Sequence, residues 1–297
     1  MIHFSKYIWL YVLISCIVIG TGLFSIVRWG YQISIDFTGG TEVLYELDKT
    51  SQTYPTREII TKAIKDAKGE YQSHELRRDG TLAIRANKID EKAELVMREA
   101  LTKSMSKPVT LLRLNTVGPI IGQEAIRKTL IAVALGMLAI LGYIFYAFKR
   151  MSFAVGAVVA LVHDLLVVLG TYSLIGHFMG AQLDTLFVTG LLTTLTFSTH
   201  DTIVIFDKIR EYRKTRMNSP IEELSDKAVS ATMVRSVNNS LTIIFMLVAL
   251  VLLGGTSIRF FAITLLIGTL TGVYSSPFVA TPVMMWIEKH AKRKTNS

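Results

Sequence analysis

The chain has 297 residues, 51% of them hydrophobic, and 32 Lys and Arg against 23 Asp and Glu give a net charge of +9. The single cysteine, Cys16, excludes an internal disulfide, so packing alone must hold the fold. The basic balance would suit a nucleic-acid partner, but the charges cluster beside apolar runs, where they serve topology and contact with anionic lipid, so nucleic acid is excluded as a partner.

Six apolar stretches are long enough to cross a bilayer, for which about 20 residues suffice. The first, Tyr7–Val27, lacks a small-x-small cleavage site and reads as a retained anchor rather than a signal peptide. The others are Lys128–Phe148, Phe153–Ile175, Leu183–Phe206, Val237–Gly254 and Phe260–Ile287. Lys6 precedes the first span, and Lys149 and Arg150 join the second and third. Lys208, Arg210, Arg213, Lys214 and Arg216 follow the fourth, and Lys289, Lys292, Arg293 and Lys294 follow the sixth. The turn from His177 to Gln182 has no Lys or Arg. By the positive-inside rule both termini and the 207–236 loop are cytoplasmic. Gly156 with Ala160, and Gly268 with Gly272, have the spacing that lets helices approach closely.

Residues 36–126, after the anchor segment 1–35, form one polar region that must lie outside. TEVLYEL is a short strand with Val43, Tyr45 and Leu47 on one face. Pro55 opens a helix with Ile59, Ile60, Ala63, Ile64 and Ala67 on its apolar side. Two strands follow, near Tyr71–Arg77 and Thr81–Arg85, with Asp79-Gly80 as their turn. Asp90 caps a second helix reaching about Ser104, and PVTLLRL is the last strand. The β-α-β-β-α-β order is ferredoxin-like. Gly118, Pro119 and Gly122 then break regular structure, either as a short hinge or amphipathic piece at the outer surface or as a plain linker, before the 127–297 bundle. The predicted fold class is therefore a multi-pass α-helical membrane protein with six transmembrane helices and a small α+β extracytoplasmic domain between helices 1 and 2.

Within the bundle, Asp201 lies five residues from the inner end of the fourth span, roughly 7–8 Å along a helix axis. A carboxylate at that depth must face protein or water. Arg235 begins the fifth span at similar depth and is its candidate partner. His200, Asn238 and Asn239, with Ser198, Thr199, Thr202, Ser236 and Ser240, make the surroundings polar enough for a thin water path. Two readings stand: a proton switch, in which ionised Asp201 pairs with Arg235 and protonated Asp201 releases it, or a static pair that fixes assembly. His163 and Asp164, mid-way along the third span, either hydrogen-bond neighbouring helices or order the proton path. No metal-ligand spacing, nucleophile elbow, P-loop or dinucleotide fingerprint is present, so no metal, no cofactor other than the proton and no enzyme activity is expected.

IDFTGGT (35–41), VGPIIG (117–122), LVHD (161–164), HDTIVIFDKIRE (200–211), NNSLT (238–242) and GTLTGVYSSPFVATP (268–282) resemble, in order and over nearly the whole chain, the motifs of the SecF family of bacterial protein export. The resemblance implies pairing with SecD, a separate chain, within the resistance-nodulation-division superfamily. It further implies association with the SecYEG channel and indirectly with SecA, residence in the bacterial inner membrane, and proton-driven pulling of an unfolded preprotein. It carries the proton-path Asp and Arg onto Asp201 and Arg235. The family's fourth span usually reads close to GYSxND, whereas this chain reads TFSTHD, with Thr196 for the glycine and His200 for the asparagine. That puts a flexible kink in doubt and adds a titratable neighbour to Asp201. The competing functions are half of a proton-driven exporter of lipids or small molecules, and a non-catalytic scaffold for SecD.

Overall fold

A computed structural model describes residues 4–47, 55–76, 80–87, 89–105, 108–216 and 219–295, and the chain divides into two compact units. One is helical, comprising residues 4–31, 131–181 and 185–295; the other is built around a sheet and comprises 32–130 and 182–184. The sheet unit thus begins a few residues before, and ends a few after, the expected 36–126 boundaries.

In the helical unit, α1 spans Ile8–Trp29 and follows a short helical turn, Phe4–Tyr7. Helix α5 (Pro119–Phe148) begins in the sheet unit and continues into the helical one. It is followed by α6 (Met151–Met179), α7 (Thr185–Thr215), α8 (Ile221–Leu253), α9 (Thr256–Ser275) and α10 (Thr281–Thr295). A π-helical turn, Ser276–Ala280, joins α9 to α10. Pro277 has no N–H to continue the regular ladder, which accounts for a wider turn there. Among the described residues, five helical stretches are long and apolar enough to cross a membrane: Phe4–Trp29, Ile121–Phe148, Met151–Met179, Ile221–Leu253 and Ile258–Ala291. Helix α7, which contains the expected fourth span, is 31 residues long, but the threonines and charges along it dilute its apolar character.

The aromatic core of this unit packs Phe153 between Phe148, stacked at 5.3 Å, and Phe206, edge-on at 5.0 Å. Ala154, Ala157 and Ala160 on α6 let Met284 and Met285 of α10 close over them. Two glycine contacts set the helix spacing. Gly22 of α1 faces Gly170 of α6, and a Cβ on Gly22 would lie 2.8 Å from the Gly170 Cα. A Cβ on Gly272 of α9 would lie 2.9 Å from the Cα of Ser198 on α7, the kind of close approach expected of the Gly268–Gly272 spacing.

The sheet unit opens with β1 (Gln32–Ile33) and the single-turn helix α2 (Ile35–Thr38), whose N-terminal Asp36 N–H is capped by Ser34 Oγ at 3.3 Å. Then come β2 (Gly40–Glu46), α3 (Arg57–Asp66), β3 (Glu70–Leu76), β4 (Thr81–Asn87), α4 (Glu91–Met105) and β5 (Thr110–Val117). The four longer strands pair in the order β3-β4-β2-β5, every neighbour antiparallel. Alternation in β2 buries Thr41, Val43 and Tyr45 against α3 and α4, where Ile60, Ile64, Met97 and Leu101 complete the core. Asp90 caps α4, its Oδ1 accepting from the Ala93 N–H at 2.8 Å. Asp79, expected in the β3–β4 turn, lies outside the described residues.

Two features differ from expectation. Gly118 is the whole of the break before α5: Pro119 takes the first helical position, where a missing N–H costs nothing, and Gly122 lies within the helix. Gly122 packs so closely that an added Cβ would meet the Phe37 carbonyl at 2.7 Å. The second is β6 (Gln182–Leu183), which pairs in parallel with β1 across 150 residues of sequence (Gln32 with Gln182), too short a strand to leave an alternation signal.

Candidate functional site

The polar side chains of the helical unit gather on α6, α7, α8 and α9. On α7, Ser198, Asp201, Thr202 and Ile205 fall at helical spacing and are buried, while His200 is exposed. The Asp201 carboxylate accepts from Ser236 Oγ of α8 at 2.6 Å. His200, Asp201, Val204, Arg235, Ser236 and Asn239 line a cavity of about 150 Å³. A second cavity of about 330 Å³ shares His200, Asp201 and Asn239 and extends to Ser240, Thr269 and Gly272. A third, about 530 Å³, shares Val204 and Arg235 and reaches Asp207, Lys208 and Glu211 near the end of α7. Neighbouring cavities thus share lining residues from α9 past Asp201 to the charged end of α7. Each is large enough to hold water, for which roughly 10–15 Å³ suffices, and its wall mixes apolar surface with the polar groups just named.

The expected partners, Asp201 and Arg235, thus border one cavity. Among the described residues no ion pair joins them: Ser236, the neighbour of Arg235, bonds the carboxylate instead. Arg235 is exposed, and a long flexible side chain there need not stay on the carboxylate. Asn239 lines both inner cavities, whereas Asn238 is exposed and lines none of those three.

A second carboxylate was placed only loosely by the sequence. Asp164 of α6 is 4% exposed and saturated with donors. Ser198 Oγ of α7 and Ser275 Oγ of α9 (2.7 Å) both donate to its Oδ2, and His163 Nδ1 stands 2.9 Å from its Oδ1. His163 Nε2 continues to Ser15 Oγ of α1 at 3.0 Å, which in turn meets the Tyr274 hydroxyl of α9 at 3.3 Å. Tyr274 donates to the Tyr11 carbonyl at 2.8 Å. Ser276, on the π-helical turn, bonds Thr202 at 2.9 Å. Sequence reasoning missed Ser15, Tyr274, Ser275 and Ser276 as members of this network. The available signal was hydroxyl residues recurring inside apolar helices, where each must find an acceptor.

At another end of the helices, Glu288 accepts from Arg150, Arg213 and Ser152, at 3.3, 3.0 and 2.8 Å. Asp226 accepts from both the backbone and the hydroxyl of Ser5. These groups fasten α10, α6, α7, α8 and the N-terminal turn. Among the described residues no group of three or more His, Cys, Asp or Glu is arranged to hold a metal ion.

A family model described as "Protein export membrane protein SecD/SecF, C-terminal" matches residues 97–290. The protein translocase subunit SecF of Thermobaculum terrenum is 35% identical over 302 residues, covering 97% of this chain and 95% of that one. That of Anaerolinea thermophila is 34% identical, covering 94% and 92%. Among solved structures, SecDF from Thermus thermophilus, titled a translocon-associated membrane protein, aligns with a TM-score of 0.83 at 26% identity. The match covers 97% of this chain but 39% of that one. SecDF in a super-membrane-facing form aligns with a TM-score of 0.68 over 98% of this chain. The chain therefore spans about two fifths of the SecDF chains, but almost the full length of the separate SecF subunits. On that near end-to-end identity, it belongs to the SecF family of protein translocase subunits.

Proposed function

We propose that the chain works in protein export with SecD, beside the SecYEG channel, using the proton gradient to draw an unfolded preprotein outward after SecA has pushed it. It carries out no covalent reaction; Asp201 exchanges a proton and Arg235 tunes that exchange, with His200 and Asn239 lining the path. The observation that carries this reading is a buried carboxylate whose one donor among the described residues is Ser236, bordering two cavities that share lining residues with a third near the charged end of α7. Buried ionisable groups inside membrane helices mark ion or proton routes far more often than chance placement would.

In this reading α7 is the fourth of six crossings of the bacterial inner membrane, both termini are cytoplasmic, and the sheet unit lies outside. The Lys and Arg positions support that orientation. The sheet unit is ferredoxin-like; the β3-β4-β2-β5 order, with α3 and α4 crossing between strands on one face, supports it. Anionic lipid at the basic helix ends is a further expected partner.

A proton moved through 100 mV releases about 2.3 kcal/mol, enough to shift a two-state equilibrium roughly fifty-fold. Asp201→Asn keeps the shape and most of the hydrogen bonding but cannot ionise. In inverted membrane vesicles containing SecD, the variant should assemble normally and lose the gradient-stimulated part of export. Full stimulation by the gradient in Asp201→Asn would return the residue to a static, assembly-fixing role and leave the scaffold reading.

A further inference from the structure

We propose that His163 and Asp164 form a second proton-binding site in the helical unit, holding one proton as a net-neutral pair that ties α1 to α9. The proposal stands on bond accounting within the network and not on the role of Asp201.

A hydroxyl has one proton to donate, and a carbonyl can only accept. Tyr274 must therefore donate to the Tyr11 carbonyl at 2.8 Å, which uses its proton. The contact between Ser15 and Tyr274 then has to be donated by Ser15, which uses that proton too. Ser15 can consequently only accept at its contact with His163 Nε2, so the ring nitrogen must carry a hydrogen there. At the other ring nitrogen, 2.9 Å from Asp164 Oδ1, a second hydrogen is needed. Two donors, Ser198 and Ser275, already converge on Oδ2, an arrangement that favours the carboxylate. All contacts close only when the pair holds one proton more than a neutral imidazole beside a carboxylate: an imidazolium bonded to Asp164.

Burial leads to the same count independently. His163 and Asp164 are 7% and 4% exposed, and among the described residues no Lys or Arg pairs with Asp164. A lone carboxylate there would be unpaired, whereas the protonated pair carries no net charge. The titratable groups facing it are Tyr11 of α1 and Tyr274 of α9, with Asp201 and His200 three and two residues along α7 from Ser198. The π-helical turn brings none, and the first acid on α10, Glu288, is already bonded by Arg150, Arg213 and Ser152.

When the pair loses its proton, Nε2 turns from donor to acceptor. Ser15 must then swing its hydroxyl proton to His163 and give up Tyr274. One proton on α6 thus decides whether α1 is bonded to α9 through Ser15.

The test is solid-state nitrogen NMR of the full chain in lipid vesicles, with histidine labelled with nitrogen-15. Val162–His163 is the single Val-His step in the sequence, so carbon-13 carbonyl labelling of valine assigns His163 without a substitution. At pH 7 His163 should show both ring nitrogens protonated. Ser15→Ala, which removes the acceptor, should shift the Nε2 resonance and leave Nδ1 in place. A ring with either nitrogen bare at pH 7, or a Ser15→Ala spectrum identical to the parent's, would overturn the proposal. The readout is independent of export: Asp201→Asn should leave the His163 signal unmoved whether or not that variant still exports.

Discussion

Replacing Gly22 probes how the first helix is held. Gly22 and Gly170 touch backbone to backbone, and a Cβ on Gly22 would sit 2.8 Å from the Gly170 Cα. Carbon atoms settle at about 3.5–4.0 Å, so even Gly22→Ala forces α1 and α6 apart by roughly 1 Å. Ser25 and Ser173, three residues further along the two helices, share a hydrogen bond of 2.9 Å. A shift of that size carries it beyond bonding distance. Overpacking of about 1–3 kcal/mol, plus about 0.5–1.5 kcal/mol for the lost bond, gives an expected destabilisation near 2–4 kcal/mol. Gly22→Leu, whose side chain cannot fit between two backbones, should cost more. Thermal unfolding of the purified protein in detergent measures the first effect. Disulfide formation between Ser25→Cys and Ser173→Cys, in a Cys16→Ser background, measures the second: cross-linking should be fast in the parent and strongly slowed by Gly22→Leu. A Gly22→Leu protein that melts and cross-links like its parent would show that the glycine pair does not set the α1–α6 distance.

Other outcomes follow from single contacts. Tyr45 is buried in the sheet unit and donates to Glu94 at 3.1 Å; Tyr45→Phe leaves Glu94 with the Arg98 ion pair at 3.3 Å and should cost about 1–3 kcal/mol in chemical unfolding. Burial, reinforced by nearby Arg57, holds the His74 pKa below its ordinary value, and the neutral ring meets the Tyr71 hydroxyl at 2.7 Å. Since the folded state resists protonation, the unfolded chain binds the proton more readily below about pH 6.5; stability should fall from there down through the lowered folded value, and His74→Gln should flatten that dependence in a pH series of unfolding curves. For topology, cysteines placed at Ser73 and Ser219 should react with a membrane-impermeant reagent from opposite sides; reaction from one side alone would reject the proposed orientation.

The elements that repeat a pattern were legible in the sequence. Alternation in TEVLYEL gave the buried face of β2, and Ile60, Ala63 and Ile64 gave the core side of α3. Both rest on local periodicity, which fixes a face but not a neighbour. What stayed hidden was pairing across the chain. Gln32 meets Gln182 through a strand of two residues, and Asp164 meets Ser198 and Ser275 from two other helices. Arg235 shows the same limit from the other side: depth placed it beside Asp201, but which of two adjacent residues on α8 reaches the carboxylate depends on helix rotation, and Ser236 does.

The two carboxylates of the helical unit also differ in a way that bears on what each can do. Asp164 is ringed by Ser198, Ser275 and His163, and it lines none of the three cavities that surround Arg235 and Asp201. Any change at Asp164 disturbs bonds to α7 and α9 and, through His163, to α1. Among the described residues Asp201 has one donor, Ser236 of α8, and it lines two of those cavities. In the proposed reading Asp201 is the group that exchanges its proton with the cavities, and the His163–Asp164 pair is the one whose proton sets the Ser15 bond.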